Sequence, residues 1–230
     1  MNRDKIKSFK AYLVILLILV VTFLAGPFIG RGGSSVRLIG WDLLILCCIG
    51  LAAVFFQKEA GFPQLIDDTV KPLRRWVIPL AIGAIFGIAD VFVFEVILTH
   101  APYQRLPPFL QPFPYSILLY TSGAVHVEIL HRLLPLTLVM IIARKFLPAS
   151  YHNTVFWIFA ILTAVWEPLE QLPSGNWGLI IYSFASGFIF NLLQAIIYKK
   201  AGWLASLFIR LGHYLIWHIL LGMYVQYWVL

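Results

Sequence analysis

Charge is scarce in this chain. Lys, Arg, Asp and Glu supply 12% of its 230 residues, where soluble domains use about 25%. Low-complexity linkers, internal repeats and glycine-rich phosphate loops are also missing. Hydrophobic residues reach 61% and the mean hydropathy is +0.88, a balance that excludes a water-soluble globular domain. Cysteine is limited to Cys47 and Cys48. As neighbours on a helix they point about 100° apart and do not readily pair with each other, so they read as small buried residues without redox information. The formal charge is +7, yet its basic residues lie between apolar runs. The charge therefore reads as membrane topology, with no support for a nucleic-acid partner.

Long apolar runs are what the chain has in quantity. Spans are predicted at 11–28, 38–56, 76–99, 115–146, 154–166, 177–198 and 205–230; about 20 apolar residues cross a hydrocarbon layer of about 30 Å. The fold class is therefore all-α: a polytopic transmembrane bundle of about seven spans forming one integral membrane domain over residues 1–230. The fourth run exceeds one crossing and must tilt, protrude or bend at Pro135. The fifth is short unless WEPLEQLP lengthens it or it ends early inside the bundle. The first has the basic flank of a signal sequence, but LILVVTFLAGPFIG lacks a small-residue cleavage site, which predicts an uncleaved span.

Basic residues alternate between connections. Arg3, Lys5, Lys7, Lys10, Lys58, Lys71, Arg74, Arg75, Arg144, Lys145, Lys199 and Lys200 stand on one side of the pattern, and Arg31, Arg37 and Arg105 on the other. Retention of Lys and Arg on the cytoplasmic side predicts a multi-pass protein of the cell membrane with its N-terminus in the cytoplasm and its C-terminus outside. A prokaryotic cytoplasmic membrane is the expected home.

Ionisable residues inside such spans are costly and are functional candidates. They are Asp42, Asp90, Glu95, His126, Glu128, His131, Arg132, Arg210, His213 and His218, with Glu167 and Glu170 ending the fifth span. In HVEILHR, helical geometry puts Glu128, His131 and Arg132 within an arc of about 100° and turns His126 away. Glu128 and Arg132 also have the i,i+4 spacing of an intrahelical ion pair. Arg210, His213, Tyr214 and Trp217 form a second stripe, and the two stripes could meet with WEPLEQ around one cavity. Glu128-x-x-His131 has the spacing used in carboxylate-bridged di-iron bundles, which need two such pairs; one is present. A metal-binding or electron-transfer subunit built from Glu128, His131, Glu170 and His213 is a third-ranked reading, and no cofactor is specified.

The stretches FLQPFPYSILLYTSGAVHVEILHRLLPLTLV, NTVFWIFAILTAVWEPLEQLPSG and GLIIYSFASGFIFNLLQAIIYKKAGWLASLFIRLGHYLIWHILLG together resemble the core of the CPBP family of intramembrane proteases. This is the CAAX-prenyl-protease and bacteriocin-processing group, and the likeness covers roughly residues 108–221. The resemblance implies a Glu-Glu-x-x-x-Arg motif, a Phe-x-x-x-His motif and a final His followed four residues later by Asn or Asp. Its leading glutamate would activate water, with the histidines and the amide or acid orienting it. Here Val127 stands at that glutamate, followed by Glu128 and Arg132 in their expected places. Gln171 or Glu170 stands at the second motif's histidine, with Glu167 or Trp166 at its aromatic. Arg210 and Tyr214 occupy the last motif, or His213 and Trp217 if it slips by a turn.

The resemblance therefore implies a protease-like scaffold with its chemistry largely replaced. The expected function is that of a catalytically degenerate accessory, scaffold or lipid-binding subunit, with membrane lipids and another membrane protein as partners. The alternative is an active CAAX-type endopeptidase with a remodelled site. In it Glu128, Glu167 or Glu170 serves as base, His131 or His213 as acid, and Arg132 or Arg210 stabilises an oxyanion.

Overall fold

The computed structural model describes residues 3–29, 40–98 and 101–230. Arg31, Arg37 and the predicted span ends at 38–39 and 99 lie outside the described residues. Among the described residues the backbone forms seven helical rods and no strand. They are α1 (Arg3–Ile29), α2 (Trp41–Phe56), α3 (Leu73–Ile97), α4 (Tyr115–Phe146), α5 (Ala149–Glu170), α6 (Trp177–Ala201) and α7 (Trp203–Val229). Five of them, α1, α3, α4, α6 and α7, are long and apolar enough to cross a membrane. The 16 residues of α2 span about 24 Å, slightly less than a hydrocarbon layer. The fifth rod continues through WEPLE with Pro168 inside it and reaches 22 residues, so the short predicted span is lengthened on both sides.

The outer surface is apolar: Leu17, Ile85 and Ile181 are more than 60% exposed, while Glu128 and Arg132 are completely buried within a largely apolar core. Apolar surface pointing outward around buried charge is the pattern of a multi-pass membrane bundle. Cys47 follows its expected place in the interior, but Cys48 is exposed. Adjacent helical positions face different surroundings, and here that rotation takes the second cysteine out of the core.

The central rod is α7, which packs along α3, α4 and α6, while α4 also meets α1, α2 and α5. Glycines set the closest of these contacts. A Cβ on Gly83 would fall 1.8 Å from the Ile209 carbonyl oxygen, and one on Gly212 would fall 2.2 Å from that of Leu80. Backbone meets backbone there, the use of small residues that apolar surroundings favour because lipid gives helices little hydrophobic drive to associate. Gly202 makes the turn between α6 and α7 at φ +87°, a conformation that L side chains rarely adopt.

All four basic segments gather at one end of the bundle. Lys5 Nζ donates to Glu59 at 2.6 Å and Lys7 Nζ to Asp68 at 2.6 Å, tying α1 to the α2–α3 loop. A Cβ on Gly61 in that loop would meet the Arg144 guanidinium, and Lys199 Nζ donates to Asn153 at 2.7 Å. Burial pushes the Glu59 carboxyl up, but the Lys5 hydrogen bond and charge outweigh it and hold the group below its ordinary range. The Lys7 hydrogen bond lowers Asp68 in the same sense.

Candidate functional site

Two glutamates and two arginines meet in the interior between α4, α5, α6 and α7. Arg210 on α7 is the hub. Its Nε donates to Glu128 Oε1 at 2.9 Å, and its Nη1 and Nη2 grip the two oxygens of Glu167 at 2.7 and 2.8 Å. Nη2 also donates to Gln194 at 2.9 Å and Asn191 at 3.1 Å, both on α6. Glu128 receives Gln194 Nε2 on Oε1 and Ser206 Oγ on Oε2, each at 2.6 Å. Arg132 Nη2 lies 3.5 Å from Glu167 Oε2. No member of this group is more than 5% exposed. Two negative and two positive charges leave the cluster neutral, and no oxygen of either glutamate lacks a donor, while Arg132 Nε and Nη2 have no hydrogen-bond partner.

The expected Glu128–Arg132 ion pair is not formed; each residue takes a partner on another helix. Residues Ile129–Leu133 form a π-helical turn, with the Leu134 N–H donating to the Ile129 carbonyl. Pro135 follows it and has no N–H for the carbonyl of His131. Arg132 Nη1 donates to that carbonyl at 2.9 Å and to that of Thr163 at 3.4 Å. Arg132 thus stitches the interrupted backbone of α4 to α5 as well as facing Glu167.

The two polar stripes do meet, as a packed cluster filled by side chains. His131 and Glu170 form a separate pair at its edge. His131 Nε2 lies 3.3 Å from Glu170 Oε2, its Nδ1 lies 3.2 Å from the Val127 carbonyl, and Trp166 Nε1 donates to Glu170. Both imidazole nitrogens face oxygen. His131 is buried and the Glu170 side chain is 49% exposed. Glu170 is therefore far more accessible than Glu128 or Glu167. His126 joins neither group, and its buried Nδ1 has no hydrogen-bond partner.

His213 faces the other way, toward α3. Its Nε2 lies 2.7 Å from Asp90 Oδ2, while Tyr182 and Ser186 of α6 donate to Oδ1 at 2.6 and 3.0 Å. Glu128, His131, Glu170 and His213 are thus shared among three separate groups. Among the described residues no three or more His, Cys, Asp or Glu side chains are placed to hold a metal ion.

Sequence reasoning missed the amides and the serine. Asn191 and Gln194 stand three residues apart in the otherwise apolar FNLLQA, and Ser206 lies four residues before Arg210. Those spacings put each pair on one helix face, a signal available to a search extended from ionisable to uncharged polar residues. Asp90 was recognised as costly, but its pairing with His213 across 123 positions has no local signature. Comparison with protein-family models, curated proteins and solved structures finds no match to this chain.

Proposed function

We propose that the chain is a catalytically degenerate relative of the CPBP intramembrane proteases that works by binding, as an accessory or scaffold subunit for a membrane protein or for lipid. One observation carries this reading. The carboxylates nearest to the family's first two motifs, Glu128 and Glu167, have every oxygen engaged by Arg210, Gln194 or Ser206. A general base needs a free lone pair within reach of water. Val127 in the place of the leading glutamate, and Arg210 in that of the last histidine, support the same conclusion. In this reading the bundle retains a protease-like scaffold while a neutral ion-pair lock fills its centre. The gathering of basic segments at one end supports placement in a cell membrane with that end, and the N-terminus, in the cytoplasm.

The test is an activity assay on the full chain in liposomes, with prenylated peptides and transmembrane peptides as substrates. No turnover is expected above that of empty liposomes. Robust cleavage that disappears in Glu128→Gln would overturn the proposal. A second reading has its own support, because the half-exposed Glu170 beside His131 is a carboxylate–imidazole pair that a substrate could approach. It requires cleavage that is lost in Glu170→Gln and unaffected by Glu128→Gln.

A further inference from the structure

A second polar centre lies between α3, α6 and α7 and takes no part in the ion-pair lock. Gly83 and Gly87 bring α3 onto the backbone of α7 at His213, since a Cβ on either would fall within about 3 Å of His213 main-chain atoms. Asp90, one turn further along α3, then reaches the imidazole. Its carboxylate receives three donors, Tyr182 and Ser186 on one oxygen and His213 on the other. That arrangement suits an ionised aspartate.

Charge balance separates this centre from the lock. The Arg210 guanidinium is neutralised by Glu128 and Glu167, and the ring of Phe190 lies 5.6 Å from it and 5.0 Å from His213. Among the described residues, His213 is the basic side chain within ion-pair distance of Asp90. A carboxylate enclosed with hydroxyls and a neutral imidazole keeps an uncompensated negative charge, which is costly at membrane depth. One atom is ready to cancel it. His213 Nδ1 is buried and has no hydrogen-bond partner, while the carboxylate holds the opposite nitrogen as a donor. A carboxylate that orients an imidazole and leaves its far nitrogen bare is the arrangement of a proton acceptor.

We propose that Asp90 and His213 form a binding site for one exchangeable proton inside the bundle, with the proton taken up on Nδ1 and Asp90 as its counter-ion. Proton uptake converts a neutral imidazole beside a carboxylate into an ion pair that clasps α3 to α7. Other titratable groups face the site. Tyr182 comes from α6; Tyr214, Arg210 and His218 come from α7; and Tyr120 of α4 stacks on His218 at 4.1 Å. His218 Nδ1 is directed to the Phe109 carbonyl at 2.8 Å.

Nitrogen NMR of ring-labelled histidines in the full chain, reconstituted in lipid nanodiscs, reads this directly. The His213 signal is identified by its loss in His213→Gln. It should show reversible protonation of Nδ1 as the pH is lowered. In Asp90→Asn the proton affinity should fall at least about tenfold, the effect of removing an opposite charge at this distance. Tyr182→Phe keeps the charge and removes a donor that competes for it, so it should raise the affinity; that variant also serves if Asp90→Asn does not fold. A bare Nδ1 that stays unprotonated down to about pH 4, or a midpoint that neither variant moves in these directions, would overturn the proposal.

Discussion

Replacing Glu167 by glutamine tests the ion-pair lock most directly, because it removes one charge and nearly no volume. In the native cluster both Glu167 oxygens accept from Arg210, at 2.7 and 2.8 Å, and Arg132 stands 3.5 Å from one of them. Glutamine keeps one acceptor and turns an amide N–H₂ toward a guanidinium. Charge-assisted hydrogen bonds contribute about 1.5–3 kcal/mol each, so the loss of one, with a weakened second, amounts to several kcal/mol. The cluster also acquires a net positive charge in a site where its four charged members are at most 5% exposed. Breaking a buried ion pair from one side costs about 3–5 kcal/mol, which is about two to three and a half decades in the unfolding equilibrium. The assay is reversible unfolding of the chain in bicelles, together with the double variant Glu167→Gln/Arg132→Met. The double variant restores neutrality and should recover at least about 1 kcal/mol of the single-variant loss, the coupling expected of residues in one network. A single-variant cost below about 1 kcal/mol, or a double variant in which the losses simply add, would refute the account of a charge-balanced lock.

Other outcomes follow from the same contacts. Gly212→Ala places a methyl 2.2 Å from the Leu80 carbonyl oxygen; it should destabilise the bundle by about 1–3 kcal/mol, seen as a lower unfolding midpoint, and a neutral effect would contradict the close α3–α7 contact. Acidification should release α1 from the α2–α3 loop. Glu59 and Asp68 are held below their ordinary range by Lys5 and Lys7, so their tethers act fully above about pH 4.5 and fade as pH falls through the lower folded-state values. Hydrogen exchange across residues 57–72, corrected for intrinsic rates, should therefore rise between pH 6 and pH 3 in the native chain and change little in a Lys5→Gln/Lys7→Gln variant. Trp203→Phe deletes the indole donor to the Glu128 carbonyl at 3.2 Å and should cost about 1 kcal/mol in the same unfolding assay; a loss above about 4 kcal/mol would assign Trp203 a larger role than this hydrogen bond.

Periodicity and length made the helices legible, because a membrane forces backbone hydrogen bonding into local, apolar, long segments. The 32 residues from Tyr115 to Phe146 were read as one run that had to tilt, protrude or bend. Its π-helical turn at Ile129–Leu133 was not foreseen, since that turn adds no unusual residue to the sequence. The i,i+4 spacing permitted a Glu128–Arg132 pair, but spacing along one helix does not register the partners that other helices bring, and those partners took both residues.

Partner choice was illegible for a different reason. Glu128 can be satisfied by any guanidinium within reach, so composition gave the inventory of charges while only packing could match them. Here the matching is governed by the approach of α7, whose position depends on Gly83 and Gly212 letting two backbones touch. Arg210 is thereby set between Glu128 on α4 and Glu167 on α5, and His213, three residues on, is turned to Asp90 on α3. One helix thus serves two centres from adjacent turns. Both sets of ionisable groups stood in the sequence as costs to be explained. The four charges of the lock sum to zero within it, whereas the ion-pair partner of Asp90 is a histidine, which is charged only when protonated. That difference separates a centre that is electrostatically closed from one whose charge still depends on its surroundings.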